Sequence, residues 1–215
     1  MLSRIIDRGL EEQAVLLVRM GELTLETLDV SIHGYLEDKY VGDRIRENSD
    51  LLIAMAQKVE DITFELIARY QPVATDLRTI KSYMKIGNDF ARYGRYSLDI
   101  SIISDQIKGL PCCAKWVQSY IEEMGHKVLT MVKTSVDALK KCDIELAKTI
   151  SQAEREVDKM YIDFIRELLN SKRVKSQCIM SSTLLIRYLE RIADHAVYVC
   201  ESVVYMVTGE KLSLD

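Results

Sequence analysis

The sequence predicts an all-α protein made of two tandem three-helix bundles, six long antiparallel helices in all. Three observations predict it. Only 9 Gly and 2 Pro in 215 residues leave few places where regular structure must break. No stretch alternates apolar and polar residues between turn signals, so strands have no sequence support. Apolar residues instead recur at three- and four-residue steps over long runs, which is one face of a helix.

The first helix is expected from about Leu2 to Gly34, through Ala14, Leu17, Leu25 and Leu28. Tyr35 to Gly42 reads as a turn, with Asp43 as N-cap of the second helix. That helix carries Leu52, Met55, Val59, Ile62 and Leu66 and ends before Pro72. Pro72 is tolerated in the first turn of the third helix, which runs to Gly109. At ~1.5 Å per residue it spans about 50 Å. Gly109-Leu110-Pro111 is the clearest break in the chain. Helix four is expected from Cys112 to Lys140, and Lys141-Cys142-Asp143 is a turn with Asp143 as the next cap. Helix five covers Ile144 to about Leu169, and helix six runs from Ser176 to Thr208 before Gly209. Gly109 and Gly209 close the two halves, and Asp43 and Asp143 open the middle helices. This is a repeat of about one hundred residues, so the expected units are 1–109 and 110–215, two bundles related by a pseudo-repeat in an elongated molecule.

Charge and composition exclude several classes. A net charge of −4 gives no attraction to nucleic acid or anionic lipid. The densest basic run, Lys172-Arg173-Val174-Lys175, reads as a solvated turn. No apolar run approaches the ~20 residues of a membrane span, and no signal peptide is evident behind Arg4, Asp7 and Arg8. Five cysteines with no Cys-x-x-Cys read as a reduced, cytoplasmic pattern, with Cys178 and Cys200 as small core residues. Cys112-Cys113 has no assignable partner base, and neither a Gly-rich phosphate loop nor a Gly-x-Ser-x-Gly elbow is present. No catalytic residue is assigned.

The chemistry points to paired carboxylates. Glu190 and Asp194 leave the same side of helix six, and Glu154 and Asp158 repeat that spacing on helix five. Like charges four apart repel by roughly 0.2–0.5 kcal/mol per pair, so water, a nearby Arg or a shared cation must offset them. If the helices lie side by side, four carboxylates converge as hard oxygen ligands for a divalent or trivalent metal. A ferritin-like di-metal enzyme is the rival. It needs two Glu-x-x-His motifs, and the chain offers one, Glu123-Met124-Gly125-His126, with a helix-weakening Gly inside it. His33, His126 and His195 are expected in structural roles.

Two longer segments resemble a known family. Gln71-Pro72-Val73-Ala74-Thr75-Asp76-Leu77-Arg78 resembles the Q-P-x-A-x-D-L-R signature of PhoU proteins, and Leu189-Glu190-Arg191-Ile192-Ala193-Asp194-His195-Ala196 resembles their L-E-R-I-[AG]-D-H-A signature. Val203 to Glu210 also fits, so the resemblance spans essentially the whole chain. It implies a fold of two three-helix repeats. It implies a cytoplasmic, non-catalytic negative regulator of high-affinity phosphate uptake, reaching the membrane only through partners and not binding nucleic acid. The implied partners are the ATP-hydrolysing subunit of the phosphate transporter, a phosphate-sensing histidine kinase where one exists, and a second copy in a homodimer. Gln71, Pro72, Asp76 and Arg78 mark the signature and are expected either to face partners or to serve their own turn. A scaffold for a different transporter is the neighbouring alternative.

The resemblance also implies a multinuclear iron or other metal cluster in each half, on [Glu/Asp]-x-x-x-Asp pairs. Here it carries over to Glu154, Asp158, Glu190 and Asp194 in the second repeat only. The matching first-half positions are Ala56, Glu60, Ala91 and Arg95. Three of four carboxylates are gone, and Arg95 is expected to satisfy Glu60 or Asp89 in place of a metal.

Overall fold

The structure, a computed structural model, describes residues 2–107, 110, 113–171 and 174–214, with side chains from Ile6 onward. The expectations for Gly109, Pro111, Cys112, Lys172 and Arg173 lie outside these residues. Seven helical segments follow in order: α1 Leu2–Leu36, α2 Gly42–Tyr70, α3 Ala74–Ile107, α4 Lys115–Lys141, α5 Ile144–Lys148, α6 Ile150–Asn170 and α7 Ser176–Thr208. The six-helix plan holds, with one refinement. The expected fifth helix is divided at Thr149, whose hydroxyl donates to the Leu146 carbonyl at 2.7 Å while its N–H reaches the same oxygen at 3.2 Å. Thr149 keeps helical φ and ψ, so α5 and α6 are one helix with a tightened turn.

The ends follow local chemistry, with two corrections. Asp143 caps α5 as expected, accepting the Leu146 N–H at 2.9 Å. Asp43 does not cap α2. Val41 holds the N-cap position, and Asp43 sits inside the first turn, where a carboxylate favours the helix dipole and receives the Tyr40 hydroxyl at 3.0 Å. Pro72 lies in the connector rather than in the first turn of α3, which starts at Ala74. Gln71 takes the left-handed C-cap of α2 at φ 47° and Gly209 that of α7 at φ 80°.

α1, α2 and α3 pack as one bundle, and α4 to α7 as the other. The two lie side by side. Pairings of Gln177 with Ile107, His195 with Asp89 and Lys81 with Tyr205 make α3 and α7 antiparallel along their full length. α1 and α4 are also antiparallel, over the second half of α1: a Cβ on Gly21 would stand 2.8 Å from Val136, and one on Gly125 would stand 3.1 Å from Ile32. Gly125 is therefore where α4 approaches α1, which accounts for a glycine inside a helix. One apolar core runs through both halves, joining Leu17, Met20 and Phe90 to Val136, Leu189 and Val197. The sequence misses this because each half reads as a closed unit, and the third-helix faces that cover one another read as ordinary stripes.

A further correction concerns redox state. Cys113 and Cys178 form a disulfide, Cα to Cα 5.3 Å, between the connector before α4 and the first turn of α7. Both are buried. Cys142 and Cys200 are free. With a sequence separation of 65, no spacing motif marks the two partners, so the sequence offers no signal for this pairing. Among the described residues no helix is long and apolar enough to cross a membrane.

Candidate metal centre

Three of the four expected ligands come together. Oxygens of Asp158 on α6 and of Glu190 and Asp194 on α7 lie within 4.8 Å of one another. The helical spacing puts Glu190 and Asp194 one above the other, and α6 packing on α7 brings Asp158 across. Glu154, one turn before Asp158, is buried in the α6 stripe with Val157 and Phe164 and stands outside this group.

Two arginines that the sequence reading passed over partly neutralise the acids. Arg187 donates to Glu190 Oε1 at 2.6 Å, its guanidinium over the Tyr161 ring at 5.7 Å, and Arg191 lies 3.8 Å from Asp194. Each sits three residues before its acid, a spacing that was legible. They do not complete the site. Glu190 Oε2 is buried with no hydrogen-bond partner. Burial, then the Asp194 carboxylate, holds the Glu190 carboxyl above its usual range despite Arg187. Burial also raises Asp194, against the pull of Arg191 and with Asp158 adding to the rise. An orphaned oxygen amid three crowded carboxylates fits a hard cation, which supplies the missing positive charge.

The raised values predict a pH dependence. A carboxyl that binds its proton more tightly in the folded chain adds stability as pH falls through the folded value. That gain is complete below the unfolded value of about 4. Chelator-treated wild type is therefore expected to gain unfolding free energy on acidification relative to Glu190→Gln/Asp194→Asn. Parallel denaturant curves for the two proteins between neutral and mildly acidic pH would contradict this.

The corresponding place in the first half is built differently. Ala56, Glu60, Ala91 and Arg95 do line one cleft of about 270 Å³ between α2 and α3, with Gln57, Asn88 and Arg92. The repeat alignment thus carries over into space, with a single acid and two guanidinium groups. The expected partnership of Arg95 fails: among the described residues it pairs with neither Glu60 nor Asp89. Burial raises the nearby Asp99 carboxyl, against the Tyr188 hydroxyl and the Arg95 charge. Asp89 belongs to His195, with Oδ1 and Nδ1 2.8 Å apart.

The signature residues sit at helix ends. Asp76 lies in the first turn of α3, and the Arg78 guanidinium packs against Gly209 at the carbonyl end of α7, where a cation is favourable. Glu123 and His126 of the rival motif line a groove of about 710 Å³ beside Glu156, and join no ligand group among the described residues.

The model of the PhoU domain matches residues 17–103 and again 121–203. The chain belongs to the PhoU family. The two PhoU matches fall one in each bundle, as the repeat predicts. The chain is 30% identical over 220 residues to a phosphate-specific transport system accessory protein PhoU homolog of Clostridium acetobutylicum, covering the full length of both. Crystal structures agree. PhoU from Pseudomonas aeruginosa superposes with a TM-score of 0.88 at 26% identity, over 95% of this chain and 99% of that one. The phosphate transport system regulatory protein PhoU from Streptococcus pneumoniae gives 0.76 at 24% identity, covering 96% and 99%, and shows the shared fold.

Proposed function

We propose that this chain is a non-catalytic accessory regulator of phosphate-specific transport that restrains uptake by docking on the transporter's ATP-hydrolysing subunit. The observation that carries this reading is full-length similarity, both repeats included, to accessory proteins of that system. The chain acts in the cytoplasm as a homodimer, with a sensor histidine kinase as second partner where one exists, and reaches the membrane only through them. Its functional units are 1–109 and 110–215.

Asp158, Glu190 and Asp194 hold an iron or other divalent or trivalent ion in the second unit, with Glu154 behind them. The ion offsets the crowded charge and ties α6 to α7, a structural or regulatory role. The first unit, with Arg92 and Arg95 in its cleft, holds none.

Affinity capture of the tagged chain from its native cell, at high and low phosphate, tests the reading. The expected catch is the phosphate transporter's ATPase. A different transporter's ATPase would favour a scaffold with another client, and no ATPase at either phosphate level would sink the proposal. Metal measured in the same chelator-free preparations is expected to be lost from Glu190→Ala/Asp194→Ala. Retention there would place the ion elsewhere.

A further inference from the structure

A second polar cleft lies toward the C-terminal end of α7, eleven residues or more beyond Glu190 and so at least ~16 Å along the helix axis. It encloses about 190 Å³ between α3 and α7, lined by Lys81, Ser82 and Lys85 on one side and Glu201, Ser202 and Tyr205 on the other. The C-terminal strap closes it with Lys211 and Leu212. That strap is pinned, because Leu214 is buried and its N–H donates to Glu201 Oε1 at 3.2 Å.

The cleft holds more cations than anions: three lysines line it beside one carboxylate, Glu201, which already accepts the Leu214 N–H. Among the described residues Lys81, Lys85 and Lys211 have no carboxylate within ion-pair distance. Lys81 and Lys85 rest instead over the Tyr205 and Tyr198 rings, at 5.3 and 5.4 Å. It also holds an unmet donor. Ser82 is 2% exposed, and its Oγ has no hydrogen-bond partner. One turn earlier on α3, the Arg78 Nε is likewise buried and unpartnered. A buried polar atom without a partner is rare in a folded chain and calls for a ligand or water. The neighbouring Ser202 does not supply one, since its hydroxyl donates to the Tyr198 carbonyl.

We propose that this cleft is a binding site for a small tetrahedral oxyanion that still carries a proton, namely free hydrogen phosphate. Three lysines supply the charge, and the Ser82 hydroxyl supplies a buried donor. Glu201 supplies the discrimination. A carboxylate lining an anion site repels a fully deprotonated ligand and accepts a hydrogen bond from a protonated one. Free phosphate keeps a proton at neutral pH, whereas sulfate has none and a phosphomonoester, with its second pKa near 6, has mostly lost its own. The proposal rests on the chemistry of the cleft and needs neither the metal nor a docking partner.

Calorimetric titration of the purified full-length chain with orthophosphate, at constant ionic strength, tests it. Saturable one-to-one binding is expected, weakened at least tenfold in Lys81→Gln/Lys85→Gln and several-fold in Ser82→Ala. Circular dichroism confirms that the variants are folded, and the lysine pair is exposed, so its replacement leaves the core intact. Sulfate and glycerol phosphate are expected to bind at least tenfold more weakly than orthophosphate. Absence of saturable binding by the wild type, or unchanged binding in the lysine variant, overturns the site. Equal binding of sulfate removes the role of Glu201 and with it the assignment to hydrogen phosphate. Binding to phosphatidic acid vesicles but not to free phosphate transfers the cleft to a lipid headgroup and also overturns the proposal.

Discussion

Reducing the Cys113–Cys178 disulfide is expected to lower the unfolding free energy by about 4 kcal/mol, the loop-closure entropy of a cross-link of this length. The bond spans 65 residues and fastens the connector between the halves to the start of α7. For a chain of this size that loss corresponds to a fall in Tm of roughly 8–16 °C. Beside the bond, Gln118 Nε2 donates to the Leu110 and Cys113 carbonyls at 3.1 and 3.2 Å. Thermal unfolding with and without a dithiol reductant measures the effect, and Cys113→Ala/Cys178→Ala should reproduce it without reductant. Cys142→Ser, at an exposed free thiol, should change neither. A wild type whose Tm ignores reductant, and whose digest contains no peptide pair linked through 113 and 178, would return these cysteines to the reduced state that spacing alone suggested.

Sequence was most informative where the physics is local. Long apolar stripes, scarce Gly and Pro, the Asp143 cap and the terminal Gly209 act within a few residues, so the helices and their ends could be read. The repeat was also legible, far enough that Ala56, Glu60, Ala91 and Arg95 fall into one cleft as aligned. What failed depends on which helix covers which. Asp89 could be seen to need a partner, and Arg95 was the candidate the repeat alignment offered. The structure supplies that partner across the molecule as a hydrogen bond from His195, 106 residues away. The metal acids show the same division. Glu190 and Asp194 share a helix and were readable as a pair, whereas the choice of Asp158 over Glu154 turns on how α6 is rotated against α7. Ser82 and Lys211 gave no signal, because a buried serine and a tail lysine look ordinary until α3, α7 and the strap meet.

The Asp89–His195 contact is a buried polar link between the two halves, so His195→Ala is expected to be strongly destabilising. The pair sits between α3 of one half and α7 of the other, both side chains 9% exposed. Tyr93 and Tyr198 meet the imidazole edge-on at 6.2 and 5.4 Å, and the Tyr96 hydroxyl lies 3.4 Å from Nε2. Asp89 Oδ2 already lacks a partner. Removing the imidazole would leave the whole carboxylate buried without a donor, an arrangement that costs about 3–5 kcal/mol. Asp89→Ala removes the group that demands compensation and should cost less. In a double-mutant cycle the Asp89→Ala/His195→Ala chain should therefore be more stable than His195→Ala alone, with a coupling of roughly 0.5–3 kcal/mol. Strictly additive losses would mean that the two side chains stabilise their surroundings independently, and that apolar packing alone joins the halves here. A measured coupling would instead explain why a histidine follows Asp194 directly: the same turn of α7 offers one acid to the ion site on one side and a donor to the other half on the other.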